Sequence, residues 1–368
     1  AVASLLSHVL HRRVTFRSDP YIRWVEMPWA FVAVATLAGF VDIVVLRALF
    51  AGTGFASTGA LVGAKLVALA VAGVVRLLGY RFVLLSEMTN ARRVRWDRPP
   101  APGDRRLSIV VPAYGEADRI GATVRRLRSA LGEVEAAGGL EVVVVDDGSA
   151  DGTADAALAA GADQVIVQPE NRGKGAAVRI GVAAARGRAV VFTDADLAYG
   201  PEQVLRVLAA VEDGWDVAIG DRRHPGSRTL VPTSRLRAAG SRVINLLGYA
   251  VLLGAYRDTQ SGLKGFRSDV ARFLFERARV DGFAFDIEIL HIVERHKLSL
   301  VEVPVEVENT DRTTVSAVRD AVVLVGDLVR IRRWSAEGAY ESEAGELPPV
   351  RTGAGQVDAV PGRAGAAG

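Results

Sequence analysis

Two carboxylates one residue apart, Asp194 and Asp196, follow the apolar run Ala189-Val190-Val191-Phe192. A strand ending there sets both acids in the crevice beyond its C-terminal edge, where open α/β sheets hold their ligands. Oxygen donors so spaced suit a hard divalent cation, Mg2+ or Mn2+; a solvated turn after a strand has the same composition, and the pair alone does not choose. Three other segments bear on the choice. Val111-Pro112-Ala113-Tyr114-Gly115-Glu116 closes one apolar run and Val145-Asp146-Asp147-Gly148-Ser149-Ala150-Asp151-Gly152-Thr153 closes another. Acids at such ends can accept from a base and from ribose hydroxyls while glycine permits the tight turn. Asn171-Arg172-Gly173-Lys174-Gly175 adds a loop whose lysine is either a point charge for phosphates or a solvated loop residue.

The elements that must position these residues are short buried strands. Apolar runs at 107–111, 140–145, 165–167, 189–192 and 217–219 alternate with helical stretches such as 120–131, which predicts a doubly wound α/β sheet. The proline-rich segment around Pro99-Pro100-Ala101-Pro102-Gly103 marks a linker over 90–105, with the catalytic unit expected over 106–334 and a disordered tail over 335–368. Ahead of it, 29–50 and 59–80 are predominantly apolar and about 33 Å long as helices, enough to span a bilayer. Their outer flanks are rich in arginine and the connection 51–57 is uncharged. The positive-inside rule then predicts a hairpin with both ends in the cytoplasm. Asp42 and Lys65 sit at comparable depth within the two runs, which predicts an ion pair across the hairpin or a role with a lipid phosphate.

Downstream, Gly220-Asp221-Arg222 leads into Arg223, Arg228, Arg235, Arg237 and Arg242, and then into 243–256, fourteen residues without a charge. That stretch is too short to span and suits a helix in the membrane interface, its basic start at the headgroups. Residues 316–334 have a similar amphipathic character. The totals agree: half of the 368 residues are hydrophobic, and mean hydropathy is +0.22 with a formal charge of only +3. Clustered basic residues on such a chain point to a membrane surface or anionic substrates before nucleic acid. The lack of cysteine excludes disulfides, thiolate metal sites and thiol nucleophiles. No Gly-x-Gly-x-x-Gly follows a strand, and Gly173-Lys174 continues into Gly175 where an NTPase phosphate loop needs Ser or Thr.

In this order and spacing, the segments at 111–116, 145–153, 171–175 and 194–196 resemble the family 2 glycosyltransferases of GT-A fold. Arg257-Asp258-Thr259-Gln260-Ser261-Gly262-Leu263-Lys264-Gly265-Phe266-Arg267, Asp281-Gly282-Phe283-Ala284-Phe285-Asp286-Ile287-Glu288, Val303-Pro304-Val305 and Gly326-Asp327-Leu328-Val329-Arg330-Ile331-Arg332 extend the resemblance over 106–334 to the polyprenyl-phosphate sugar synthases, among them the dolichyl-phosphate β-glucosyltransferases. The N-terminal region, 1–89, is similar to the later part of a GtrA-like membrane domain. The resemblance implies inverting transfer of a sugar from a nucleotide sugar to a polyprenyl phosphate at the cytoplasmic membrane face, UDP-glucose being favoured over a UDP-N-acetylhexosamine or GDP-mannose. It implies a divalent cation on Asp194 and Asp196, and a nucleotide held by Pro112, Tyr114, Glu116, Asp146, Asp147, Gly173, Lys174 and Asp194. Asp258 and Asp286 would orient the reacting centre, and Arg222, Arg228, Arg235 and Arg237 would receive the acceptor phosphate. Three departures limit the carry-over: Gly115 in place of Asn, Ala198 in place of a metal-contacting Gln of the mannose synthases, and Thr314-Val315-Ser316-Ala317 in place of Gly-Ser-Lys, for which Arg312 is a substitute. Other readings are a transferase acting on a different lipid acceptor such as a diacylglycerol lipid, and a lipid-sugar translocator or scaffold; oligomeric state, including a homo-oligomer, is left open.

Overall fold

The structure, a computed structural model, describes residues 28–53, 62–73, 98–229, 258–308, 317–342, 350–351 and 357–358, together with 59, 75, 79 and 256. The chain divides into two compact units, Ala1–Asn90 and Ala91–Gly368.

In the first unit, helix α1 (Pro28–Thr53) contains the window Val32–Leu49 of mean hydropathy 2.1, long and apolar enough to cross a membrane. A shorter apolar helix, α2 (Val62–Gly73), follows. Lys65 Nζ lies 2.6 Å from Asp42 Oδ2, so the predicted pair between the two apolar runs is formed. A charge in an apolar stretch is costly without a partner, and each residue supplies the other's. The basic flanks of the hairpin fall largely outside the described residues.

The second unit is built on a sheet of seven strands. They are β1 (Arg105–Ala113), β2 (Leu140–Asp146), β3 (Gln164–Val167), β4 (Gly187–Phe192), β5 (Val217–Asp221), β7 (Lys264–Arg267) and β8 (Leu300–Pro304), in the order β3-β2-β1-β4-β7-β5-β8. A separate two-stranded sheet pairs β6 (Arg228–Thr229) with β9 (Glu306–Val307), and β10 (Val350–Arg351) pairs with β11 (Val357–Asp358). The five strands expected from apolar runs are all present. The sheet is not wholly parallel, however: β7 runs antiparallel to both of its neighbours, β4 and β5. Its four residues include Lys264 and Arg267, so no apolar run announces it.

Side chains along each strand alternate between two cores, as the two-residue period of a pleated strand requires. Val110, Val143, Val145, Val190 and Phe192 face one core, closed by α6 (Lys174–Ala184), α8 (Ser268–Arg277), α9 (Phe285–Arg295) and α10 (Ala317–Ala336). Leu107, Ile109, Val111, Val142, Val144 and Val191 face the other, closed by α3 (Ala117–Ala130), α5 (Thr153–Ala159) and α7 (Pro201–Glu212). A short helix, α4 (Gly132–Ala136), joins α3 to β2.

Two expected boundaries shift. The proline-rich linker packs on the catalytic unit from residue 98 onward: Arg98 makes a 2.8 Å ion pair with buried Asp216, and Arg267 donates to the Pro99 carbonyl at 2.7 Å. At the other end, residues 335–342, the start of the expected tail, are part of the fold. Ser335 lies within α10 and Tyr340 is fully buried. One aromatic among polar and small residues reads as tail by composition, but its ring completes a core that lies far away in sequence.

Candidate active site

Strand direction explains why the chemistry gathers on one edge. β1, β2 and β4 are mutually parallel through β1, and β5 points the same way because both it and β4 are antiparallel to β7. The C-terminal ends of these four strands therefore share an edge with the N-terminal end of β7, where Lys264 stands opposite Phe192. The crevice at that edge receives the loops after β1, β2, β4 and β5 and the turn before β7.

Asp194-Ala195-Asp196 occupies the turn after β4. Leu197 N donates to Asp194 O at 3.1 Å and Leu197 takes φ 46°, a left-handed conformation rare for leucine. Burial of its side chain in the core offsets the strain, and the tight turn brings the two carboxyls to the same crevice. Ala195 is held from below by Thr123, whose hydroxyl donates to its carbonyl. Both acids stay partly open, and Asp196 Oδ1 accepts from Ala198 N at 3.0 Å. Burial first, and then the charge of Asp194, push the Asp196 carboxyl above the usual carboxylate range, with Lys174 and Arg119 opposing. A carboxylate whose charge is penalised by burial and by a neighbouring acid is what a hard cation relieves. Among the described residues no group of three or more acids and histidines is arranged around a metal. Asp194 and Asp196 are half-buried oxygen donors on one turn, the donor type that Mg2+ or Mn2+ takes, so these two residues fit such a cation.

Cations surround the pair. Lys174, first residue of α6, reaches Asp194 Oδ1 with its ammonium, with 19% of its side chain exposed. Burial draws the Lys174 pKa down, but Asp194, Asp286 and Asp196 more than offset it and hold it above the ordinary lysine value. Arg222, just beyond β5, makes a bidentate pair with Asp258 at 2.5 and 2.8 Å. Burial opposes the Asp258 charge, yet Arg222 overcomes it and keeps the carboxyl below its ordinary pKa. Lys264, buried to 1% exposure, donates to Asp286 Oδ1 at 2.6 Å and to the Ser261 carbonyl at 2.7 Å, above the Phe192 ring. Burial nonetheless raises Asp286, with Lys264 and Lys174 pulling the other way. Tyr199 lies beneath Arg222 and Asp258; burial pushes its hydroxyl up to about 12, so it is neutral and receives a 3.3 Å hydrogen bond from Ser261. The turn before β7 presses on the acid pair so closely that a Cβ at Gly262 would meet Asp194 Oδ2 at 2.2 Å.

The structure therefore brings Lys174, Asp194, Asp196, Asp258, Asp286 and Arg222 together and adds Lys264, Tyr199 and Gly262, none of which stands out in sequence. Lys264 is signalled only as a charge in a short run that the topology turns into a strand. The nucleotide-side loops are stitched to one another: Gly115 N donates to Ser149 Oγ and Glu116 N to Thr153 Oγ1, each at 2.9 Å, and Ala117 N to Asp151 at 3.1 Å. Pro112 ends in β1 beside Val145, Tyr114 is exposed at the rim, and Glu116 pairs with Arg119 at 2.7 Å. Asp146 and Asp147 are both buried. Asp146 accepts from Ser149 N at 2.9 Å; Asp147 takes Arg172 N at 3.0 Å, Gly173 N at 2.7 Å and the Gln168 amide. Asp147 uses both oxygens to shape the loop that carries Lys174, whereas Asp146 uses Oδ1 on its own turn. Arg228 is exposed on β6, and Arg235 and Arg237 lie outside the described residues, as does most of the expected interfacial stretch 243–256.

The chain matches Glycosyl transferase family 2 over residues 108–275. A dolichyl-phosphate beta-glucosyltransferase of Drosophila melanogaster is 38% identical over 215 residues, 54% of this chain and 66% of that protein. The protein of the same description from Homo sapiens is 30% identical over 263 residues, 67% of this chain and 80% of its own length. Among solved structures, glucosyl-3-phosphoglycerate synthase from Mycobacterium tuberculosis, in complex with Mn2+, UDP-glucose and phosphoglyceric acid, gives a TM-score of 0.46 at 22% identity, covering 71% of this chain and 86% of that one. The family match takes in the four strand ends, the lysine loop, the acid pair and the Arg222–Asp258 pair, and the chain belongs to the family 2 glycosyltransferases.

Proposed function

We propose that the protein transfers glucose from UDP-glucose to a polyprenyl phosphate, with inversion, at the cytoplasmic face of a membrane. The observation that carries this reading is that Asp194 meets two cations of different attachment, Lys174 on the nucleotide-side loop, in an ion pair, and Arg222 beyond β5, paired with Asp258 and within electrostatic reach. One cation faces a donor diphosphate and the other an incoming acceptor phosphate.

A divalent cation on Asp194 and Asp196, when bound, offsets the charge that grows on a departing diphosphate. The protein groups do the rest. Lys174 adds a fixed positive charge beside the diphosphate. Arg222, locked by Asp258, offers its exposed side to the acceptor phosphate and lowers its repulsion from the donor. That phosphate, with a second pKa of about 6, is largely a dianion near neutrality and attacks without a protein base. Its oxygen forms the new bond to the anomeric carbon as the bond to the β-phosphate oxygen breaks, and the electron pair leaves with the nucleoside diphosphate. Asp258 and Asp286 fit this scheme because each is already paired with a cation and neither is placed to take a proton. The descriptions of the relatives support the sugar and the lipid, and α1 supports attachment to a membrane.

The test is incubation of the purified full chain with a panel of nucleotide sugars and polyprenyl phosphate, with and without Mg2+ or Mn2+, and mass identification of the lipid product. Glucosyl polyprenyl phosphate of β configuration is expected from UDP-glucose. A product from another donor corrects the sugar, a diacylglycerol product corrects the acceptor, and no product from any donor favours a translocator or scaffold.

A further inference from the structure

The segment after α10 reaches the donor side of the site through one carboxylate. Tyr340 is fully buried, edge-on to His291 with ring centroids 5.8 Å apart, and its hydroxyl donates to Glu288 Oε1 at 2.6 Å. Its carbonyl lies 2.7 Å from His296 Nε2, and the next residue, Glu341, pairs with Arg295. The tyrosine is thus fixed to α9 on both sides. Glu288, fully buried on α9, gives its remaining acceptor capacity to backbone. Oε2 accepts from Val280 N at 2.8 Å, and both oxygens receive Arg279 N at 3.0 Å.

Those bonds fix 279–281, whose carbonyl side is the floor of the lysine loop. Asp281 O accepts from Ala176 N at 3.2 Å, and Gly173, at φ 109°, packs so closely that a Cβ there would come within 2.6 Å of the same oxygen. The Asp281 carboxylate also receives Arg172 at 3.2 Å and, more tightly, Arg179. From the opposite side Asp147 holds Arg172 N and Gly173 N. Lys174 therefore reaches Asp194 from a loop clamped between two buried carboxylates. One is set by the strand end at β2, the other by a tyrosine some 50 residues further along the chain than Glu288 (|i−j| = 52).

We propose that Tyr340 and Glu288 are positioning residues for the 171–176 loop, so that the C-terminal segment sets how tightly the site holds a nucleoside diphosphate. The consequence for the diphosphate rests on the nucleotide-sugar reading given above; the position of the loop does not. Removal of the tyrosine hydroxyl leaves buried Glu288 Oε1 with only the shared Arg279 N–H of its two donors, a loss that loosens 279–281 and the loop above it.

The experiment is hydrogen exchange by mass spectrometry on the full chain without ligand, comparing wild type, Tyr340→Phe and Glu288→Gln, followed by KM and kcat for UDP-glucose. In both variants exchange is expected to rise about tenfold in peptides covering 171–177 and to stay unchanged in those covering β1, with KM up about tenfold and kcat within about twofold. Unchanged exchange at 171–177 in both variants overturns the proposal, as does acceleration spread evenly over the catalytic unit. Selective loop acceleration in a protein that responds to no nucleotide sugar supports the clamp and overturns the donor reading instead.

Discussion

The acids of this crevice divide into two kinds. Asp194 and Asp196 sit on an open turn, half-buried, crowding one another, with Lys174 paired to Asp194. Asp258 and Asp286 are almost fully buried, and each is matched by one cation at hydrogen-bonding distance, Arg222 and Lys264. All four arise as acids near strand or helix ends, yet a buried pair has its charge balanced by the fold while the open pair leaves its balance to a ligand. Together with Lys174, the group holds three cations and four carboxylates, an excess of one negative charge that suits a bound cation.

The comparison breaks first at the open pair. Asp196→Ala is expected to lower transfer by on the order of 10³-fold or more while lowering the thermal midpoint only slightly, since the half-buried carboxyl accepts one local hydrogen bond, from Ala198 N; near-normal cation-dependent turnover would remove Asp196 from the cation site. The buried pair should behave in the opposite way. Lys264→Met strands Asp286 without its nearest cation and is expected to cost roughly 3–5 kcal/mol in stability, measured by denaturation, with much of it recovered in the double variant Lys264→Met with Asp286→Leu. A smaller effect is expected from Asp258→Asn, which keeps the side-chain shape but weakens a charge-assisted contact. Transfer should fall by about 10- to 100-fold and not vanish, because Arg222 is loosened while the phosphate dianion needs no protein base. Complete loss with intact folding would make Asp258 a participant in the chemistry.

The smallest effect concerns the core behind the site. Burial, aided by Arg332 and Arg295, lowers the His291 pKa from its ordinary value to about 3. The unfolded chain takes up a proton near 6.5 and the folded one does not, so stability is fully present above 6.5 and declines as pH falls from there toward 3. The slope from this residue is at most about 1.4 kcal/mol per pH unit. His296 is depressed also, by burial first. A thermal midpoint that falls between pH 6.5 and 5 in wild type and less steeply in His291→Gln is the expected result; identical slopes would place the acid sensitivity elsewhere.

The position of Tyr340 shows why composition misjudges the C-terminus. Its neighbours offer no apolar period, and the residue is recognisable only from Glu288, which needs a donor for a buried oxygen. Asp147 is the converse: its place at the end of an apolar strand was plain, but whether it faces a ligand or its own backbone depends on where the 171–174 loop returns.

The sequence by itself determined the five apolar strands, the helices that alternate with them, the acid pair at a strand end, the lysine loop and the depth match of Asp42 with Lys65. These follow from local periodicity, turn chemistry and the cost of lone charges, which act over a few residues or one hairpin. Tertiary structure alone decided that β7 enters antiparallel between β4 and β5, bringing Gly262 and Lys264 onto the acid pair, and that each deeper acid meets one particular cation. Contacts between residues 36 to 102 positions apart, as in Arg222 with Asp258 and Arg179 with Asp281, are set by which strand lies beside which, and side-chain type carries no record of that order.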